Sequence, residues 1–207
     1  MSILNGALRT LAKVLHVPVI ILLIVIVFAV IVLVGVVIGE YFTEHRYLKV
    51  ELPKLIDAMN EKDADLESCI KESGLLKRQK KALLEVVKHE DFNDIMREAL
   101  AVRMLDQEQE VYDSRVKISD LIAKIGPMLG LLGTLIPLGP GIIALGQGDT
   151  ATLTASLLTA FDTTIAGLSA AGVAMIISGI RKSWYNRYMS ILETVMECLL
   201  EVEKKKC

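Results

Sequence analysis

Three long apolar runs dominate the pattern of hydrophobic and polar positions along the chain. The first, Val17 to Gly39, contains no charged residue and consists mostly of Val, Ile and Leu. As a helix it would extend ~34 Å, which is enough to cross a hydrocarbon core of ~30 Å. The other two runs lie between Ile125 and Ile180 and are separated by a short polar turn at residues 147–150. The pattern predicts three transmembrane helices, at residues 17–39, 121–147 and 150–181.

Charged residues concentrate between and after these runs. Residues 40–120 contain one proline, Pro53, and one glycine, Gly74, and their apolar residues recur at helical spacing. We expect several helices with solvated charged faces there. Residues 182–207 continue the third helix, with an apolar seam that could pack a bundle of like helices. The seam residues are Trp184, Tyr188, Ile191, Val195, Cys198 and Val202. The predicted fold class is an all-α membrane protein with three spans, a helical cytoplasmic region and an extended third helix.

The second run is rich in residues that interrupt helices. Pro127, Pro137 and Pro140 occur within it, together with several glycines. We expect breaks in this span, which membrane helices tolerate when neighbours satisfy the freed backbone groups. The glycines would also let helices approach closely. At the following turn, Asp149 or Thr150 is expected to cap the third helix.

Basic residues near the ends of the spans set the expected orientation. Only Arg9 and Lys13 precede the first span. The larger group, which flanks the central region and follows the third span, comprises Arg46, Lys49, Lys54, Arg115, Lys117, Arg181, Lys182 and Arg187. We predict that residues 40–120 and 182–207 lie in the cytoplasm. The N-terminal tail, residues 1–16, and the Gln147 turn would lie outside the cytoplasmic (inner) membrane.

Composition and charge argue against several functions. The chain is 53% hydrophobic and 5% aromatic, with a formal net charge of −2. It lacks the concentrated basic face or stacking aromatics of a nucleic-acid-binding module. Cys69, Cys198 and Cys207 show no metal-ligand spacing and are expected to be free thiols. The histidines, which lie scattered in the tail and loops without partner spacing, are His16, His45 and His89. We predict no cofactor and no metal site.

Asp162 is the only ionisable residue of the third run. A charged side chain inside a span costs ~2.5 to 3.5 kcal/mol on insertion scales and usually faces a bundle interior or a water-filled path. Several neighbours carry hydroxyls that can bond a carboxyl group, another helix or a hydrated ion. They are Thr152, Ser156, Thr159, Thr163, Thr164 and Ser169. We favour a role of Asp162 in ion movement over the alternative, a packing aspartate held by threonines.

A protease pattern also occurs at the turn. Residues 146–149 read GxGD, which intramembrane aspartyl proteases use. Such enzymes need two carboxylates at one water. Asp162 would lie ~20 Å from Asp149 along the same helix, too far to share a proton. We therefore predict that the chain is not an enzyme.

Two blocks in the second and third spans carry a family resemblance. They read GPMLGLLGT at residues 126–134 and LTAFDTTIAGL at 158–168, and WYNR follows at 184–187. Over about residues 125–187 the chain resembles the MotA/TolQ/ExbB proton-channel family. The three-span layout is similar to its TolQ/ExbB branch.

The resemblance implies a stator-like homopentamer around two copies of a single-span partner of the ExbD/TolR/MotB type, whose own aspartate carries the proton. Thr134 and Thr164 match threonines that line the family's pore. Thr159 falls where ExbB and TolQ have a glutamate, and Asp162 lies one turn further along, rotated by ~60°. The predicted ion-pathway residues are Thr134, Thr159, Asp162, Thr163 and Thr164. Proton and sodium both remain open.

The leading hypothesis is a subunit of an ion-driven, energy-transducing motor or channel complex. It would couple ion flow across the membrane to mechanical work through the single-span partner. The alternative is a non-conducting oligomeric membrane scaffold of the same fold. Since the partner's aspartate is absent from this chain, we expect no transport by the chain alone.

Overall fold

The computed structural model describes residues 2–45, 51–60, 65–89 and 92–206, which form helices and contain no strand. The elements are α1 (Ser2–Glu40) with a π-helical turn after it (Tyr41–His45), α2 (Leu52–Met59), α3 (Leu66–Glu72), α4 (Lys77–Val87), α5 (Asp94–Gly146) and α6 (Thr150–Lys206). Three stretches are long and apolar enough to cross a membrane: Val14–Glu44, Asp94–Gly146 and Thr150–Val202. The predicted all-α, three-span class is confirmed.

Several predicted segments belong to longer continuous helices. Residues 1–16, expected to form a tail, fall largely within α1, the helix of the first span. Some residues on which the predicted orientation and the predicted free thiols depend lie outside the described parts. They are Arg46, Lys49 and Cys207, and the side chains of Arg9 and Lys13 also lie outside. Cys69 and Cys198 are free and half-buried. The orientation stays a prediction.

The chain divides into two compact units. The membrane unit consists of Met1–Val36 and Lys117–Gly179. The second unit consists of Val37–Val116 and Ile180–Cys207. Parts of α1, α5 and α6 contribute to each unit, and the second unit also contains α2, α3 and α4.

Glycines bring α5 and α6 into backbone contact in the membrane unit. A Cβ atom placed on Gly167 would lie 2.7 Å from the carbonyl oxygen of Gly126 and 2.9 Å from Cα of Gly130. A Cβ atom on Gly133 would lie 2.7 Å from Cβ of Thr163. Because real side chains do not approach so closely, only glycine permits this helix contact at these positions. The predicted close approach is confirmed.

α1 packs along one side of the α5–α6 pair. Val30 of α1 is buried with Ile122 of α5 and Ala174 of α6. Nearer the start of α1, Leu23 is buried with Leu129 of α5. Other α1 side chains are large, apolar and exposed, as a lipid-facing or subunit-facing helix requires. They include Ile21, Leu22, Ile24, Val25, Phe28 and Ile31.

The second span differs from the sequence expectation because α5 continues through all of its prolines. Pro127, Pro137 and Pro140 lie inside one helix that ends at Gly146. Each proline removes a helical hydrogen bond, at a cost of ~3 kcal/mol in a helix interior. A full break would expose still more backbone groups to an apolar surrounding, so the continuous helix leaves fewer of them unsatisfied.

The core of the second unit forms around the C-terminal part of α6. Leu192 and Val195 are fully buried there. They belong to one apolar cluster with Met59 of α2, Ile70 of α3 and Leu83 of α4. The predicted α6 seam therefore packs against helices of its own chain rather than against like helices.

A buried ion-pair network joins α1, α5 and α6 within the second unit. Nε of Arg181, a side chain only 3% exposed, donates to Oε2 of Glu40 at 3.0 Å, and its Nη1 donates to the carbonyl of Arg115 at 3.2 Å. Arg115 lies 3.4 Å from both Glu40 and Glu44. The hydroxyl of Tyr185 donates to Glu40 at 3.2 Å. Two guanidinium groups thus balance two carboxylates.

Candidate functional site

Asp162 lies ~18 Å along α6 from Thr150, well inside the span. Its side chain is exposed and forms no hydrogen bond or ion pair with any described residue. It precedes Ala166 by four residues, and Ala166 packs against the apolar cluster that contains Val19 and Leu23 of α1, so Asp162 lies towards the side of that cluster. The threonine hydrogen bonds that the packing interpretation requires are absent from the described part of the chain. Since an unsatisfied carboxyl group in lipid is unfavourable, the position favours contact with water or another chain.

Thr163 differs from the other predicted site residues because it is buried between helices. Its side chain is 8% exposed and lies against Gly133 of α5. Its hydroxyl donates to the carbonyls of Thr159 and Ala160, each at 3.0 Å. This burial favours a role in helix packing over the lining of an ion path.

The other three threonines are half-buried and keep their hydroxyls within their own helices. Each donates to a carbonyl three or four residues earlier, at 2.7 Å for Thr134 and 3.1 Å for Thr159 and Thr164. The hydroxyl oxygens can still accept hydrogen bonds or coordinate a cation. The hydroxyl hydrogens of these three threonines are already used within their helices. Only the hydroxyl oxygens are available to a ligand, as acceptors.

The half-buried threonines fall on two different sides of the α5–α6 pair. Ala166 of α6 and Ile136 of α5 both pack against the apolar cluster that contains Val19 and Leu23 of α1 and Leu129 of α5. Thr159 precedes Ala166 by two helical turns and shares its face, whereas Thr164 points ~160° away. Thr134 likewise points ~160° away from Ile136. Thr134 and Thr164 thus lie on the side away from α1, while Thr159 and Asp162 lie on the α1 side.

A cavity of about 910 Å³, which we call the His16 cavity, opens between α1, α5 and α6 near the Gln147 turn. Thr159 lines it; Asp162 does not. Nδ1 of His16 is buried and has no hydrogen-bond partner among the residues that the structure describes. The full lining is His16, Leu135, Ile136, Pro137, Gly139, Pro140, Ile142, Ile143, Thr152, Ala155, Ser156 and Thr159.

Sequence reasoning missed the part that His16 plays in this cavity. It placed His16 in a tail without partners, whereas the structure places it in α1. A signal was present, because Val14, Leu15 and Val17 surround His16 with apolar residues. A lone polar side chain inside an apolar run is a stronger sign of a buried polar group than one in a polar tail.

The sequence also matches a known family. Residues 67–194 match the sequence model of the MotA/TolQ/ExbB proton channel family. The chain belongs to this family. The match covers more than half of the chain and contains all of α5, and it extends from α3 into the C-terminal part of α6. No individual curated protein matches the sequence. The resemblance carried by residues 125–187 is confirmed, and it reaches into the second unit.

In this member of the MotA/TolQ/ExbB family the GxGD pattern forms a helix cap. Gly148 adopts φ = +78°, a left-handed conformation that favours glycine. The carboxylate of Asp149 accepts hydrogen bonds from the backbone N–H of Thr152 at 3.0 Å and from its hydroxyl at 2.5 Å. It thereby satisfies an N–H group that α6 leaves free in its first turn. The capping prediction is confirmed for Asp149.

Loss of this cap is expected to loosen the start of α6. The hydrogen bond from the Thr152 hydroxyl lowers the pKa of Asp149 below its usual value. Because the folded-state pKa is lowered, the stabilisation is present above the ordinary value of ~3.9 and is lost as pH falls through the folded-state pKa. We expect Asp149→Ala to speed amide hydrogen exchange in the first turn at neutral pH, and Asp149→Asn to do so less. Unchanged exchange in Asp149→Ala would contradict this role.

Proposed function

We propose that the chain is a subunit of an ion-driven, energy-transducing complex in the cytoplasmic membrane, not an enzyme. It would couple the flow of protons or sodium ions to mechanical work through a single-span partner. The observation that carries the proposal is the shared position of Thr134 and Thr164 on the side of α5 and α6 away from α1. These are the two positions that resemble the family's pore threonines.

Asp162 supports an assembly of several copies. In an isolated chain its exposed carboxyl group would face lipid, which is unfavourable. Bulky apolar side chains, such as Phe161 and Ile165, are exposed beside it and suit lipid or a neighbouring subunit. We propose a homopentamer around two copies of an ExbD/TolR/MotB-like partner, in which Asp162 meets water or an adjacent chain.

The predicted pathway residues divide into two groups in this proposal. Thr134 and Thr164 line the central pore, where their hydroxyl oxygens solvate the partner's acidic group in both its charged and neutral forms. Thr159 and Asp162 contact the ion on the α1 side. Thr163 keeps α5 and α6 in contact and so positions the other threonines.

Ion flux through the reconstituted complex tests the pore assignment. Asp162→Asn and Thr164→Val are each expected to lower partner-dependent flux by about tenfold or more, equivalent to ~1.4 kcal/mol or more in the barrier. Thr154→Val is the matched control, because Thr154 is an exposed α6 threonine whose hydroxyl also bonds its own helix, at 2.8 Å. Flux is measured in liposomes with a pH-sensitive or a sodium-sensitive dye, which also identifies the ion. If both variants conduct like the native complex, the pore assignment is wrong.

A non-conducting scaffold of the same fold is the second candidate. Thr159 favours it, since a hydroxyl stands where the resemblance to ExbB and TolQ implies a glutamate. The discriminating result is flux that stays at the level of empty liposomes, in a complex that native mass spectrometry shows to contain the partner. A conducting complex excludes the scaffold.

A further inference from the structure

We propose that two oppositely charged surfaces of the second unit join neighbouring copies of the chain head to tail. One is the lysine stripe of α4, formed by Lys77, Lys81 and Lys88. The other is the acidic face of α5 and α6, formed by Asp106, Glu110, Asp113, Glu193, Glu197 and Glu201. This inference rests on the proposed function, because it specifies how the copies of the proposed homopentamer meet.

The lysine stripe points away from the rest of its own chain. Gln79 of α4 is buried, and its Nε2 donates to the carbonyl of Tyr188 of α6 at 2.8 Å. Around the helix, each lysine of the stripe points ~160° or more away from Gln79. The three lysines are exposed, and they form no ion pair with any residue in the described part of the chain. Their charges are therefore available to another molecule.

The acidic face points in the opposite direction. Glu108 of α5 accepts hydrogen bonds from Arg78 of α4 at 3.0 and 3.2 Å, and so marks the side of α5 that α4 covers. The three acids of the face on α5 point ~140° or more away from Glu108. The three on α6 point ~140° or more away from Tyr188, which is buried in the core. All six are exposed and unpaired among the described residues.

The signs of charge are separated between the two surfaces. Each surface has one opposite charge at its margin, Glu85 beside the lysine stripe and Arg103 beside the acidic face. A helix that only faces water more often alternates the signs of its charges. Because the two surfaces lie on opposite sides of the unit, one chain cannot pair them with each other. A second copy can do so.

This placement also determines the symmetry of the contact. A contact between two different surfaces of identical chains is heterologous, and its repetition closes a ring. A two-fold contact through either surface alone would bring like charges together, which is unfavourable. A ring with an odd number of copies, such as the proposed pentamer, needs heterologous contacts.

Exposed apolar side chains extend the acidic face along α5. Ile95 is 79% exposed and Val102 is 52% exposed. They precede Asp106 and Asp113 by three helical turns and so lie on the same side of the helix. Ile95 lies ~32 Å along α5 from Val116, where the second unit ends on this helix. Apolar groups exposed this far beyond the span are typical of a protein contact.

Two other occupants compete with a second copy. A basic segment of the single-span partner would fit the acidic face, and anionic lipid headgroups would fit the lysine stripe. Neither occupant covers both surfaces. A second copy supplies the complement of each surface at once, and such charge complementarity selects the partner and the register of an interface. We therefore assign both surfaces to the contact between copies.

Zero-length cross-linking tests the contact in the native complex with its partner. A carbodiimide joins a lysine amine to a carboxylate, as an amide, only where the two groups meet. We expect linked dimers on a denaturing gel, and peptide mass spectrometry of the dimer band should find amides between the lysine stripe and the acidic face. Lys71 and Glu67, which lie 2.6 Å apart on α3, provide the control, because their amide should occur within single chains.

Charge reversal tests whether the contact is electrostatic. Lys77→Glu combined with Lys81→Glu should raise the concentration at which the oligomer dissociates by about tenfold, measured by native mass spectrometry on dilution. Adding Glu110→Lys and Glu193→Lys should restore most of the loss, which a structural fault would not allow. The matched control is Lys54→Glu with Lys71→Glu, because these exposed lysines pair with acids of their own helices. It should dissociate like the native complex.

The possible failures are distinguishable. A pentamer without amides between the two surfaces, or one that the reversal leaves unchanged, would overturn the docking and leave the proposed assembly intact. Amides that join either surface to the partner would overturn it and identify the partner as the occupant. A monomer would reject the pentamer as well. Linked copies in a complex that conducts no ions would retain the docking and reject the proposed ion transport.

Discussion

Replacing Arg181 with methionine is expected to destabilise the protein by about 3–5 kcal/mol. The Arg181 side chain is 3% exposed and its main partner, Glu40, is 12% exposed, so neither charge is well hydrated. Methionine fills similar space but leaves the Glu40 carboxylate, among the described residues, with the weaker contact to Arg115, at 3.4 Å, and the hydroxyl of Tyr185. The measurement is the free energy of unfolding in mixed detergent micelles titrated with SDS.

The control for Arg181 is an arginine on the same helix. Arg187 is exposed, so Arg187→Met should change the unfolding free energy by no more than ~0.5 kcal/mol. Combining Glu40→Gln with Arg181→Met should recover part of the loss, because the uncompensated charge is then removed. A single Arg181→Met variant as stable as Arg187→Met would show that the network contributes nothing.

Replacing Gly167 with alanine is expected to force α5 and α6 apart and to destabilise the membrane unit by about 1–3 kcal/mol. The added methyl would lie 2.7 Å from the Gly126 carbonyl oxygen and 2.9 Å from Cα of Gly130. Both are backbone atoms that no change of rotamer can move. Thermal unfolding in detergent, followed by loss of the monodisperse peak on gel filtration, reports the effect.

Gly172 provides the matched control for the helix contact. It lies in the same span of α6, yet a Cβ atom there would meet nothing within 4 Å. Gly172→Ala should leave stability unchanged or raise it slightly, because alanine favours helix more than glycine does. Equal stability of Gly167→Ala and Gly172→Ala would mean that the two helices are free to separate at little cost.

Local pattern was sufficient to predict the three spans, the helix cap and the close approach of glycines. Each depends on residues within a few turns of one another, as the cap of Asp149 on Thr152 illustrates. The pairing of Glu40 with Arg181 had no such signal, because the partners lie 141 residues apart. Long-range contacts of this kind follow from how helices pack.

The threonines of the candidate site also depend on contacts between helices that the sequence alone does not reveal. Helical spacing placed Thr159, Thr163 and Thr164 close together but did not show which face α1 and α5 would cover. Packing buried Thr163 against Gly133 and left the other two threonines on opposite sides. The side that a polar residue of a span faces depends on how the neighbouring helices pack. Because lipid is as apolar as the residues that pack between helices, the sequence shows no hydrophobic pattern that would reveal this side.

The two-sided arrangement of threonines has a consequence for inhibition. A compound that occupies the centre of the proposed ring would compete with the partner at Thr134 and Thr164 but would leave Thr159 untouched. A small polar compound seated beside His16 would act at Thr159 without displacing the partner. The two kinds of blocker would therefore bind independently, and a substitution that confers resistance to one should leave sensitivity to the other intact.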